Sequence, residues 1–337
     1  MPTASLTRAV WDIAPEEFPS ADPLDARVRF LLRYAILAPS SHNSQPWQFE
    51  IADGEVAVAA DESRWLEVAD PDRRELFVSV GCAVENLCVA AERFDFDPAV
   101  TCHDPAEAGH VATVTLDPDS TPSNSRPPAL FDAVTERYTS HAPFEDRPLD
   151  DGTRADLAGL VDDADEVALH LVDDAETRGP LGELQAEADR LQMENDAYRA
   201  ELGHWVGIGA LGDSWLAARI GQAVVTYLDI GGREAAKNSR LVESAPAIAV
   251  LTTDSDDPAA RVATGQAFER LALLASAEGI AVHPMSQTLE RPELRERLAA
   301  LLPESAGLPQ HLFRLGCVDE TAEHTPRWPL ETFLLEA

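Results

Sequence analysis

The sequence predicts an α+β chain made of two related halves, each a mixed, mostly antiparallel sheet flanked by helices. Three observations carry that expectation. Helical and strand patterns follow one another without the regular βα alternation of a doubly wound sheet. A pattern recurs at a constant offset of 184, with Gly81, Ala83, Glu85, Leu87 and Ala91 returning as Gly265, Ala267, Glu269, Leu271 and Ala275. A Pro/Ser-rich run from Pro118 to Pro128 reads as a linker. The expected units are therefore 1–118, a linker at 119–128, and 129–337. A second echo, PLDARVRFLLRYAIL from Pro23 and PLDDGTRADLAGLV from Pro148, occurs in the same order.

The elements follow from local pattern. Helical spacing of apolar residues covers about 24–37, and alternation with a turn at Asp53-Gly54 marks a hairpin at 47–60. A helix at 72–93 precedes strands at 99–103 and 111–117. The second half reads as helices at 129–137 and 150–161, a strand at 166–172 and one long helix at 176–199. Seven of the 18 glycines fall between Gly203 and Gly232, which reads as a mobile or close-packed loop. A strand at 246–252, a helix at 258–278, a short β-like run Ile280-Ala281-Val282, a helix at 291–302 and a strand at 311–318 complete the chain.

Composition narrows the function. At 45% hydrophobic residues the chain can fill a core, so disorder is excluded despite the charge. No apolar run reaches the roughly 18 residues of a membrane span, and the N-terminus has no signal pattern, which predicts a soluble, cytoplasmic protein with no membrane partner. The net charge of −34 is spread along the chain, and Lys237 is its one lysine. Dispersed acid with little lysine fits adaptation to concentrated salt. A DNA mimic or a binder of basic partners is the alternative, and would gather acid in one segment. No basic stripe supports nucleic-acid binding. The cysteines Cys82, Cys88, Cys102 and Cys317 form no metal spacing, and Cys82 and Cys88 read as core.

The segment Ala38-Pro39-Ser40-Ser41-His42-Asn43-Ser44-Gln45-Pro46-Trp47 is a helix end followed by a polar loop fixed by two prolines. A capped surface turn would explain Ser40, Ser41 and Asn43 singly, but not the run together with Trp47. The segment resembles the flavin-contacting loop APSxxNxQPW of the nitroreductase family. That resemblance implies FMN as cofactor and assigns Pro39, Ser40, Ser41, Asn43 and Gln45 to it. In the family, two intertwined subunits share each site. One gives this loop, and the other an Arg-x-Ser-x-Arg phosphate grip near its N-terminus and a basic residue near its C-terminus.

Here the first copy keeps the loop and lacks the grip. The second carries Arg137-Tyr138-Thr139-Ser140-His141 before its own PLD helix and has no flavin motif after Leu160. By resemblance Arg137, Thr139 and His141 form the grip, with His141 where an arginine is usual and its charge dependent on pH. Arg327 in HTPRWP completes it, with Trp328 where a second arginine is frequent. The halves are complementary, which implies a fused tandem nitroreductase-like sandwich. Such a chain is a pseudo-dimer with one site, similar to the two-domain Acg-like branch, and would be a monomer or a homodimer. By the same resemblance Asn238 and Arg240 approach the flavin's pyrimidine edge and ribityl chain, while Pro284, Met285 and Ser286 present backbone N–H groups near N5. Taken singly, Arg137, Lys237 and Arg240 are ordinary surface charges.

The implied activity is FMN-dependent, two-electron reduction of a small, electron-poor nitro or quinone-like acceptor by NAD(P)H. No side chain is assigned as catalytic, and no metal is implied. A lidded FMN store or sensor with little turnover is the competing class, the lid being 203–232 with Trp205 and Trp215. That segment is equally readable as an insertion with no role. A chain whose flavin site is vestigial is the third alternative.

Overall fold

The computed structural model describes residues 5–118, 125–162, 166–212, 215–227, 231–319 and 323–335. Two four-stranded antiparallel sheets organise them, and they share one topology. β1 (Trp47–Ala52), β2 (Glu55–Ala60), β3 (Asp97–Cys102) and β4 (Ala112–Asp117) lie in the order β1-β2-β4-β3. β5 (Val167–Val172), β6 (Ala247–Thr253), β7 (Ala281–Pro284) and β8 (Leu308–Gly316) lie in the order β5-β6-β8-β7. The identical order is the spatial counterpart of the sequence repeat. Parallel contacts occur as the isolated bridges Phe49–Leu334 and Thr139–Val282.

The helices are α1 (Leu24–Ala35), α2 (Arg74–Arg93), α3 (Pro105–Ala108), α4 (Ala129–Val134), α5 (Asp151–Asp162), α6 (Ala175–Glu194), α7 (Asp196–Gly207), α8 (Trp215–Tyr227), α9 (Gly231–Glu243), α10 (Pro258–Ala277) and α11 (Pro292–Ala299). Local chemistry sets many of their ends. The Asp70 carboxylate accepts the Glu75 and Leu76 N–H groups at the start of α2, at 3.0 and 2.9 Å. Asp257 accepts the Ala260 N–H at 2.9 Å, with Pro258 at the first helical position of α10. Between β1 and β2 the turn is left-handed at both Asp53 (φ 49°) and Gly54 (φ 83°), as a two-residue hairpin requires.

The repeated helices α2 and α10 form the centre and cross at their repeated glycines. A Cβ on Gly81 would lie 2.1 Å from the Val262 carbonyl oxygen, and one on Gly265 would lie 2.0 Å from that of Val78. Each pair is the other shifted by 184 residues, so the contact is self-complementary, as at a two-fold dimer interface. The repeated glutamates are buried beside it. Glu85 is ion-paired to Arg126 and Arg270, and Glu269 to Arg137.

Two expectations change. The single helix at 176–199 is two helices, because Asn195 leaves helical geometry (ψ 113°) and its side chain accepts the Ala197 N–H at 2.9 Å, capping α7. The glycine-rich stretch is largely helical, as the end of α7 and all of α8. Two of its glycines serve packing: a Cβ on Gly203 would meet Thr226 Oγ1 at 2.3 Å, and one on Gly207 would meet the Gln222 side chain at 2.5 Å. Close helix contact therefore overrides glycine's weak helix propensity. Of the expected linker, 119–124 lies outside the described residues. Its end is anchored, with Arg126 donating to Glu85 at 2.6 Å and to Glu92 at 2.7 Å. The chain's last described segment returns to the first sheet, where Phe49 N–H donates to the Phe333 carbonyl at 2.8 Å.

Candidate functional site

Pro39 ends the α1 segment, and Ser40 continues in extended conformation with its Oγ accepting the Gln45 N–H at 2.9 Å. His42, Asn43 and Gln45 then sit at φ 50°, 53° and 52°, left-handed values that non-glycine residues hold only under constraint. The constraint comes from distant parts of the chain. Asn43 Nδ2 donates to the Ala210 carbonyl at 2.7 Å and the Pro326 carbonyl at 2.8 Å. Gln45 Oε1 accepts the Trp328 N–H at 3.1 Å. The loop is thus pinned from one side by the C-terminal segment and from another by the turn after α7.

The same C-terminal segment delivers Arg327. Its Nη2 donates to the Leu37 and Ala38 carbonyls at 3.2 and 3.1 Å, immediately before the loop. Arg137 reaches the same Leu37 oxygen at 3.4 Å. Both arginines are buried, the Nε of each has no hydrogen-bond partner, and the one carboxylate between them is Glu269, 3.4 Å from Arg137 Nε. Burial and the repulsion of Arg137 lower Arg327 to about 9, while burial raises Glu269 to about 7 against the pull of Arg137. Two guanidiniums against one weakened carboxylate leave excess positive charge, which suits an oxyanion.

The other predicted residues separate from this pair. Thr139 bridges Val282 through its backbone. His141 stands against His283, ring centroids 4.3 Å apart. Asn238 donates to Asp189 at 2.9 Å, and Arg240 is exposed. Pro284 ends β7, and the Met285 N–H donates to the Leu312 carbonyl at 2.8 Å, so it completes the sheet instead of facing a ligand. Ser286 is buried, its Oγ 3.5 Å from His311 Nδ1.

Ser286 and Ser41 are joined by groups that the sequence reading did not select. Ser41 Oγ donates to Glu75 Oε2 at 2.8 Å, and Glu75 Oε1 lies 3.8 Å from His311 Nδ1. Arg74 pairs with Glu75 at 2.5 Å and donates to the Gln310 carbonyl at 2.7 Å. Burial alone would raise the Glu75 carboxyl, but Arg74, His311 and Ser41 outweigh it and hold it low. Asp70 is pushed up to about 8 by burial, and Glu290, which accepts from Gln192, is raised well above the carboxylate range for the same reason. His311 and Arg314 were legible only as polar residues interrupting the apolar strand HLFRLG; Arg74 and Glu75 had no local signal at all.

The space beside Ser41 is small. A cavity of about 10 Å³, bordered by Ser41, Trp65, Asp70, Glu75 and Ser79, holds at most one water. The neighbouring Val68–Ala69 turn is tied to α7, whose Glu201 accepts the Val68 and Ala69 N–H groups at 3.0 and 2.9 Å. Trp205 packs with Leu66, Ala69 and Tyr198, whereas the side chain of Trp215 lies outside the described residues. A separate cavity of about 490 Å³, bordered by Val10, Phe30, Ile36, Leu330 and Leu334, contains none of the predicted site residues.

No family model matches the chain. It is similar over nearly its whole length to proteins of Mycobacterium tuberculosis provisionally named NAD(P)H nitroreductases. One is 27% identical over 333 residues, covering 96% of this chain and 94% of its own. Another, acg, is 27% identical over 336 residues, covering 94% and 96%. An uncharacterized protein of the same organism is 26% identical over 324 residues, covering 90% and 92%. Among solved structures, the FMN-dependent nitroreductase NfnB of Mycobacterium smegmatis in complex with NADPH is 17% identical. It matches 62% of this chain and 98% of that chain with a TM-score of 0.44. A nitroreductase with bound FMN from Desulfitobacterium hafniense is 16% identical over 62% and 98%, with a TM-score of 0.41. By its relatives over nearly the whole length, the chain resembles the nitroreductase family in its Acg-like form.

Proposed function

We propose that the chain is an FMN-dependent oxidoreductase that takes reducing equivalents from NAD(P)H and passes two electrons to a small nitro or quinone-like acceptor. One observation carries this. The two arginines of the second half meet at the Leu37 carbonyl, immediately before the polar loop of the first half, which is the complementarity that a shared flavin site demands. Arg137 and Arg327 fit the FMN phosphate by charge, and Arg327 does so also by its unpartnered Nε. Ser40, Ser41 and Asn43 supply the polar wall. FMN would provide the hydride and electron chemistry, and the protein would provide binding, orientation and exclusion of water. Mixing the purified yellow protein with NADH or NADPH under anaerobic conditions tests the proposal directly. Loss of the oxidised flavin absorbance within turnover times supports it, and persistence of the colour with both nucleotides refutes it.

A second function, a closed FMN store or sensor, is favoured by the cover over the loop. Asn43 binds the Ala210 carbonyl and Glu201 binds the Val68 and Ala69 N–H groups, so α7 and its following turn are tied down on the Ser41 side. Flavin present in the purified chain but never bleached by either nucleotide would select this alternative.

A further inference from the structure

β8 is buried at every position after Leu308, yet it carries Arg314, only 1% exposed. The guanidinium is held from several sides. Nε donates to His283 Nδ1 at 2.9 Å, and Nη2 donates to the Ala142 carbonyl at 2.7 Å and the Ser140 carbonyl at 3.3 Å. Phe144 covers its face at 3.9 Å, and Gly316 makes that cover possible, since a Cβ there would lie 2.6 Å from the Phe144 ring. Nη1 has no partner.

The missing component is a negative charge. Buried Arg74 has Glu75 and buried Arg261 has Asp72 and Asp256, and the part-buried Arg126 has Glu85 and Glu92. Among the described residues Arg314 has none within ion-pair distance, in a chain with 60 acidic and 26 basic residues. Its neighbours deepen the imbalance. His283 accepts from Arg314 at Nδ1, which fixes that ring as neutral, and the His141 ring packs edge-on against it. Burial, then His141, Arg314 and Lys237, hold His283 well below its usual range; desolvation, Lys237 and Arg314 lower His141. Lys237 itself is exposed. Burying a cation without a counterion is costly, and a rigid cation framed by carbonyls, a neutral imidazole and an aromatic face is built to receive one.

We propose that Arg314, His283 and His141 form a second oxyanion site, separate from the Arg137–Arg327 pair, that takes a phosphate-class group. The site rests on the proposed oxidoreductase function only for the source of that group, a phosphate of the nicotinamide dinucleotide, because the single FMN phosphate is assigned to Arg137 and Arg327. Inorganic phosphate is the probe, titrated calorimetrically at constant ionic strength in chloride buffer, into the purified chain with and without flavin. Binding is expected, weakened at least fivefold by His141→Gln, at an exposed position where the fold is not at stake. Arg314→Met should abolish it if the variant folds. Loss of phosphate binding on loading FMN but not riboflavin would put the FMN phosphate here and overturn the assignment of a second, separate site. Retention in the FMN-loaded protein, with phosphate competing against NADPH, identifies the nucleotide. Phosphate affinity unchanged within twofold in His141→Gln overturns the proposal, whether or not the chain carries flavin.

Discussion

Arg137 and Arg327 share one carbonyl oxygen, and neither is fully hydrogen-bonded. We expect Arg137→Ala or Arg327→Ala to weaken FMN retention about tenfold to a hundredfold, the effect of losing a charge-assisted hydrogen bond of roughly 1.5–3 kcal/mol. Riboflavin, which lacks the phosphate, should bind almost as before; equal losses for the two ligands would assign the arginines a purely structural role. Glu269 makes a second prediction. Its carboxyl is raised from 4.5 to about 7, so the folded state favours the protonated acid. Its contribution to stability is complete below pH about 4.5 and lost as pH rises through about 7. In Glu269→Gln that fall should be missing from the pH dependence of the unfolding free energy, while the step from Asp70, raised to about 8, remains. An unaltered slope between pH 5 and 7, on the order of the values linkage predicts, would show that Glu269 does not titrate there. At this scale the sequence was half legible. The loop and the two arginines stood in recognisable runs. Glu75, His311 and Arg314 did not, because a buried strand or helix reads as apolar core and gives no sign of the few polar side chains that its partners neutralise.

Elements were legible where one residue sets the geometry. Asp53-Gly54 announced the hairpin, Pro39 announced the end of the first helix, and the structure has both. The failure at 203–232 has the opposite cause, since a glycine's meaning there depends on which helix faces it. The repeat held more information than periodicity extracted: Gly81 and Gly265 were visible as a pair, and their mutual contact was not. Gly81→Ala should cost about 3 kcal/mol or more in urea unfolding, because the new methyl meets the Val262 carbonyl and backbone has to move. A cost under about 1 kcal/mol would mean that the crossing is looser than these distances imply. For the cover, Glu201 is the fastening. Glu201→Ala should release the Val68–Ala69 turn, speeding both flavin bleaching by NAD(P)H and flavin loss. If both rates stay at the parent value, α7 is a fixed wall and not a lid.

For the whole molecule, one loop and one arginine pair survive from two copies, so one FMN per chain is the expected ratio when denatured protein and released flavin are both quantified. Two per chain would mean that the halves are not complementary. The charge makes a separate prediction. Neutralisation by pairing is limited, because 26 basic residues cannot balance 60 acidic ones, and several arginines are already committed to partners such as buried Glu85 and Glu269 and exposed Asp256. The remaining acids repel one another across the surface, and that repulsion penalises the compact state at low salt. A Debye length of about 10 Å at 0.1 M shrinks to about 3 Å at 1 M, shorter than typical spacings between surface charges. We therefore propose that the chain is salt-adapted, with a thermal midpoint that climbs steeply from 0.1 M into the molar range of potassium chloride. Screening should have little effect on the buried Arg126–Glu85 and Arg74–Glu75 pairs, so they hold the centre together while the surface relaxes. Potassium chloride separates screening from the general stabilisation that sulfate gives by surface exclusion. A midpoint that stays flat in chloride and rises only in sulfate would reject salt adaptation and leave the flavin site untouched.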